Sequence, residues 1–202
     1  MKILTLFSAL FIGNYPVTPV TNCNEWQLKN AESNYKAYLR QCDDSPVKEI
    51  KLLDKFDGDF PQLIRVMNDI ETNKKLTETC SEAVLLKTFD KNTSLQYFHY
   101  KMPFGVNDRD VVSKIIINAT DSTYSYITEA VDDNSIPHKP GIIRVTNART
   151  SWFFKKSPTG IIEMQYTGFA DPNGSIPAWI INTLTRRESR LVVEKLKKLV
   201  RV

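Results

Sequence analysis

Two histidines and three cysteines in 202 residues leave little material for metal or acid–base chemistry. His99 and His138 stand alone, with neither triad nor metal-ligand spacing, so surface roles are their default. Cys23, Cys42 and Cys80 form no Cys-x-x-Cys pair and have no histidine nearby, which argues against a zinc site. Cys80 and Ser113 have no base identifiable beside them, so no activated nucleophile can be read from the chain. No apolar run is long enough to span a bilayer as a helix: the stretch from Ile3 to Gly13 has eleven residues before the helix-breaking segment, against the ~20 required. A basic stripe interleaved with aromatics is also missing, which disfavours nucleic acid as a partner. Repeats, low-complexity tracts and internal linkers are absent.

What is present describes one ordinary globular domain. The length fits the usual ~100–200 residues per domain, and 42% hydrophobic with 25% charged residues is a normal globular balance. The net charge of +4 is unevenly placed. From Ile176 to the end there are seven Lys or Arg against two Glu, a local +5, which leaves −1 for everything before. A basic helix of this kind is a solvated face or a contact for an anionic surface. At the other end, Lys2 precedes the uncharged Ile3–Gly13 run and a helix-breaking Asn14-Tyr15-Pro16-Val17-Thr18-Pro19 stretch. That order predicts a secretory signal with its linker over 1–22, an exported protein, and a domain over 23–202. In an oxidising compartment two of the three thiols would pair, and the spacing does not choose which.

The chain between is mostly strand-like. Runs at Tyr35–Gln41, Val47–Asp57, Ala83–Lys91, Ser94–Phe104, Val111–Thr120, Thr123–Val131, Ile142–Phe154 and Ile161–Ala170 are bounded by Asn, Asp, Gly or Pro. Asp59–Glu71 has helix spacing, with Asp59 as N-cap and Leu63, Ile64, Met67 and Ile70 on one face. Ile176 to about Leu199 reads as the only long helix. The pattern predicts an α+β domain: an antiparallel sheet covered on one face by that helix.

Alternation along the strands picks out the covered face. Ile162, Met164 and Tyr166 alternate with Glu163 and Gln165; Arg109, Val111, Ser113, Ile115 and Ile117 alternate with Asp110, Lys114 and Asn118; Gln96, Phe98, Tyr100 and Met102 alternate with Tyr97, His99 and Lys101. These inward rows mix aromatic, thioether and polar side chains where a dry core would favour Val, Leu and Ile. Such a mixture suits a partly filled apolar pocket.

Three segments carry a family resemblance. "MPFGVNDRDVVSK" at 102–114 resembles a Pro-x-x-x-x-Arg-Asp signature entering a strand, "KPGIIRV" at 139–145 resembles a Val-Arg strand, and "DPNGSIPAWIIN" at 171–182 resembles an Asp-Pro-Gly-Gly-x-Ile-Pro-x-Trp-x-x-Asn helix start. With "EW" at 25–26 they resemble, in order and spacing, the START (steroidogenic-acute-regulatory-related lipid-transfer) domain family over Glu25–Leu199, in a bacterial-type single-domain form. The resemblance implies a helix-grip fold, in which a curved antiparallel sheet wraps the C-terminal helix and encloses a hydrophobic cavity. It further implies binding of one lipid or other hydrophobic molecule by a carrier or sensor that is not an enzyme. No cofactor, no metal and no catalytic residues are expected, and a monomer is. Loop Asp132–Pro140 resembles the family's cavity-mouth loop.

Departures limit the carry-over. Leu76 stands where a Trp is usual, Asn173 where a second Gly is common, and Gln96 and Ile115 where some sterol-binding members bury a carboxylate–Arg pair. The expected lining is Gln96, Tyr100, Met102, Arg109, Ile115, Tyr126, Arg144, Trp152, Phe154, Met164 and Tyr166 from the strands, with Trp179, Ile181, Leu184 and Val192 from the helix. For Arg109 and Arg144 the competing reading is a structural pair with Asp110, and for Trp179 it is anchoring of helix to sheet. The basic tail adds a possible transient contact with anionic membrane. The rival to a carrier is a cyclase- or hydrolase-like enzyme on the same fold.

Overall fold

The computed structural model describes residues 22–42, 45–103, 105–133, 135–174 and 176–201. The expected secretory segment lies, but for its last residue, outside them.

Ten strands and three helices follow one another: β1 (Gln27–Glu32), β2 (Tyr35–Gln41), β3 (Lys48–Asp57), α1 (Phe60–Asn68), α2 (Ile70–Leu76), β4 (Cys80–Thr88), β5 (Thr93–Tyr100), β6 (Asp108–Ala119), β7 (Thr123–Ala130), β8 (Ile142–Arg144), β9 (Asn147–Lys156), β10 (Ile161–Asp171) and α3 (Ala178–Val200). The strands form one curved sheet in the order β1-β2-β3-β10-β9-β7-β6-β5-β4, antiparallel throughout, with short β8 added parallel to β6. The chain thus closes β3 onto β10, and α3 follows directly to cover the inner face. This is the helix-grip arrangement.

The inner face follows strand parity. Ala37, Leu39, Ile50, Leu52, Phe56, Ile115, Tyr124, Tyr126, Trp152, Phe154, Ile162 and Met164 are buried in one core with Val193, Leu196 and Val200 of α3 and with Phe60, Leu63, Val66 and Met67 of α1. Asp54 shares this face and is buried; Lys197 of α3 reaches it at 2.9 Å. The end of α3 is fixed by backbone as well, since Asp59 N–H donates to the Val200 carbonyl at 2.8 Å.

The outer face is not uniformly wet. Leu95, Tyr97 and Val112 form a second cluster with Leu86, Val131 and Ile136. Ile136 belongs to the loop expected at the mouth. That loop instead turns back over the outer face of β5 and β6, where Arg144 donates to the carbonyls of Asp133 and Ile136 at 3.3 and 3.1 Å.

Three sequence expectations change. The helix expected over Asp59–Glu71 is two helices, because Asp69 takes an extended conformation (φ −87°, ψ 110°), ends α1 and caps α2 through Glu71 and Thr72 N–H. The run Ile142–Phe154 is two strands, β8 on β6 and β9 on β10. Strand β1 has no sequence signal, its QLKNAE being largely exposed on the sheet edge. A disulfide between Cys23 and Cys42 ties the chain ahead of β1 to the end of β2, leaving Cys80 as the free thiol.

Candidate functional site

The inner face carries contiguous rows across the sheet. One runs Ile117–Tyr126–Trp152–Tyr166–Leu52, and the next runs Ile115–Thr128–Thr150–Gly168–Ile50. Trp152 and Tyr166 rings lie 4.4 Å apart at 48°, and Trp152 stacks on Phe154 at 5.8 Å. The Tyr166 ring leans over Gly168, where an added Cβ would come within 2.8 Å of Cζ. A glycine is therefore needed for the Tyr166 ring to lie as it does. Thr128 and Thr150 hydroxyls bond each other at 2.8 Å in the same row.

Tyr100 and Tyr166 have a special environment. Each keeps some accessible surface, yet desolvation by surrounding protein raises both phenols above their ordinary value. The neighbouring Tyr126 phenol is raised for the same reason. Cys80 faces Tyr100 across the β4–β5 ladder, and burial pushes its thiol up to about 11, which leaves it unreactive.

Of the expected lining, Ile115, Tyr126, Trp152, Phe154 and Met164 are buried on the inner face, with Tyr166 and Val192 packed against them. Gln96 and Tyr100 share the face half-buried, as inner neighbours of Ser113 and Arg109. Met102 is half-buried past the end of β5, where its N–H donates to Asp108. Leu184 is half-buried on α3.

Four expected residues do something else. Arg109 has the inward parity, but its guanidinium donates to the carbonyls of Pro172 and Asn173 at 3.0 and 2.8 Å and to that of Asn107. It pins the turn before α3, where Asn173 and Gly174 both take positive φ (53° and 75°), so an Asn serves there without a second glycine. Arg144 is on the outer face, in a bidentate pair with Asp110 at 2.7 and 3.0 Å beneath the 132–140 loop. Ile181 packs with Val47, Phe169 and Ile176 at the start of α3 instead of with the aromatic row. Trp179 is 71% exposed and lines nothing inside; it stands in the first turn of α3, about four turns ahead of the buried Val193.

Two arrangements escaped the sequence. Glu188 falls two turns beyond Ile181 and one before Val192, on the half-buried flank with Leu184 and Leu191, and its Oε2 is buried without a hydrogen-bond partner. Its phase relative to Ile181 was the available signal. Outside, Ser81 Oγ lies 3.1 Å from His99 Nδ1, and His99 Nε2 lies 3.0 Å from Asp108. No spacing could show this, because a bulge in β4 sets the contact. The chain of three resembles a nucleophile–base–carboxylate set. However, Ser81 also bonds the His99 carbonyl at 3.2 Å, and Asp108 serves Lys101 and the Met102 N–H, as a strand-end clasp would. Cys23, Cys42 and Glu49 bring donor atoms within 4.8 Å of one another, but the two sulfurs are joined and offer no thiolate.

Comparison with known proteins agrees with this architecture. The START domain family model matches residues 19–201. An uncharacterized protein of Pseudomonas aeruginosa is 29% identical over 160 residues, 79% of this chain and 78% of that protein. Human START domain-containing protein 10 is 20% identical over 86% of this chain, which spans only 60% of that relative; its crystal structure superposes with a TM-score of 0.76, covering 72% of the crystallised chain. A STAR-related lipid transfer protein from Xanthomonas axonopodis gives a TM-score of 0.75 at 21% identity, covering 87% of this chain and 98% of that one. More distantly, the Streptomyces Zhui aromatase/cyclase shares the fold at a TM-score of 0.53 and 8% identity, over 74% and 93% of the two chains.

Proposed function

Because the chain belongs to the START domain family, we propose that it takes up one lipid or similar hydrophobic molecule between the inner sheet face and α3, as a carrier or sensor without catalysis. The observation that carries this reading is the pair Tyr100 and Tyr166. Both keep accessible surface while surrounding protein desolvates their phenols, which supports an enclosed space between sheet and helix. The surrounding Tyr126, Trp152 and Met164 make that space apolar, so binding is by burial. Removing ~300 Å² of ligand surface from water contributes roughly 7 kcal/mol before association costs.

Exposed Trp179 beside Arg186 and Arg187 supports a transient contact of the start of α3 with an anionic membrane, Trp being suited to the interface. The Cys23–Cys42 disulfide supports export, and it requires any cleavage to fall before Cys23. A single chain closes its own sheet with α3, which supports a monomer.

Native mass spectrometry on protein purified from its own host without detergent tests the reading. One lipid-sized adduct, lost on solvent extraction, is expected. Protein found only at its bare mass, and unable to take up Nile red, overturns it. The enzyme reading rests on Ser81, His99 and Asp108; Ser81→Ala should leave uptake unchanged and remove no esterase activity, and loss of such an activity would favour the enzyme.

A further inference from the structure

The charged groups on and beside the inner face differ in how they are satisfied. Asp54 is paired with Lys197 and accepts from Lys55 N–H, Arg109 is taken up by three carbonyls, and Lys195 on the neighbouring helix flank reaches Glu78 at 3.1 Å. Among the described residues, two buried side-chain polar atoms have no partner: the Tyr97 hydroxyl on the outer face and Oε2 of Glu188. The flank around Glu188 is otherwise Leu184, Leu191 and Val192, where a leucine would pack without cost. A carboxylate oxygen held away from water without a partner costs stability. A local rule broken this way is expected where a ligand supplies the missing group. The nearby helix residue Ser189 and the inner Tyr100, Tyr126 and Tyr166 hydroxyls carry no charge to answer it.

We infer that Glu188 receives the polar end of the bound lipid, and that this end is a hydrogen-bond donor, an ammonium in preference to a hydroxyl, and not a carboxylate or phosphate monoester. The inference rests on the proposed interior site and names the chemistry that site selects. It runs against the charge of the exterior. With Arg186, Arg187, Arg190 and Lys198 exposed on α3, non-specific attraction would favour anions.

A matched series tests it: dodecylamine, dodecanol and dodecanoate, each below its micellar concentration, competing with Nile red at neutral pH. The parent should bind the amine at least tenfold tighter than the carboxylate, the ratio that one charge-assisted hydrogen bond provides. Glu188→Gln should remove most of that ratio and Glu188→Lys should invert it. Glu188→Leu should melt at or above the parent temperature, because a buried oxygen without a partner is gone. If Nile red binds but the three heads rank equally, or if the ranking survives Glu188→Gln, the inference is overturned while the carrier reading stands. A large drop in melting temperature for Glu188→Leu would make the residue structural and overturn it as well. Failure of Nile red and all three chains to bind overturns both readings.

Discussion

The two halves of α3 are attached to the rest of the molecule in different ways. The second half is held by burial, charge and backbone together: Val193, Leu196 and Val200 are fully buried, Lys197 meets Asp54, and the Val200 carbonyl accepts from Asp59. The first half has no side-chain N-cap bond, and it exposes Trp179, Thr183, Arg186 and Arg187. Its attachments are few: Ile181 packs with Val47 and Phe169, Asn182 accepts from the Lys48 N–H at 2.9 Å, and Arg109 pins the turn ahead. One end therefore carries stability and the other is free to carry access. The half with few buried contacts is the one expected to open at low free-energy cost.

The largest effect should come from the second half. Leu196→Ala empties a fully buried position and should cost about 2–5 kcal/mol, read as a fall of the order of 10 °C in melting temperature. An unchanged melting curve would mean that the helix end is not the anchor.

The next effect joins the two halves. Arg109→Met removes the donors to Pro172, Asn173 and Asn107 and should cost about 2–3 kcal/mol. Its distinctive consequence is local: amide hydrogen exchange should speed up over 178–186 while Val193–Val200 stays protected. Uniform loss of protection would erase the distinction between the halves.

These two residues also show how far the sequence could be read. Leu196 was not named: the helix face read from Ile181, Leu184 and Val192 points along one flank, whereas Val193, Leu196 and Val200 are the fully buried positions. The sheet and the long helix followed from period and turn chemistry, and the family from three motifs in order. Arg109 was half legible: parity placed it inward, but whether its guanidinium met a ligand or a carbonyl depended on the path of a turn more than sixty residues away. Arg144 shows the same limit from the other side, its partner Asp110 being legible and the covering loop not. Glu188 was counted only as a charge, because a hydrophobic pattern does not report where a lone carboxylate on an amphipathic helix points. The alternation rule also assumes one wet face, and it missed the Leu95–Tyr97–Val112 cluster that the 132–140 loop covers. There Tyr97 is buried beside Asp110, and burial followed by that negative charge raises its phenol to about 12.

A smaller effect lies in the aromatic row. Tyr166→Phe removes only a hydroxyl, which lies over Gly168 on the inner face. The change should be about 1 kcal/mol in unfolding, and no more than ~1.5 kcal/mol in affinity for Nile red. Met164→Asp is the contrasting probe. It puts a charge among Phe154, Trp152 and Tyr166, and where circular dichroism shows the fold intact, uptake should fall at least tenfold. Equal binding by folded Met164→Asp would mean that the ligand lies elsewhere.

The smallest effect on stability should come from Trp179→Ala. An indole that is 71% exposed contributes little packing, so unfolding should change by no more than ~0.5 kcal/mol. If the first half of α3 is the part that meets a membrane, the same substitution should still matter there. Its affinity for anionic vesicles should fall, because a large apolar ring with a polar edge is lost from the interface. Arg187→Glu should lower that affinity further at low salt, and raising the salt should shrink the difference between parent and variant through screening. Vesicle sedimentation measures both, beside melting curves that show the fold unaltered. Parent and Trp179→Ala sedimenting alike would leave the exposed end of α3 without a membrane role. A large loss of stability in Trp179→Ala would show that the two halves are anchored alike.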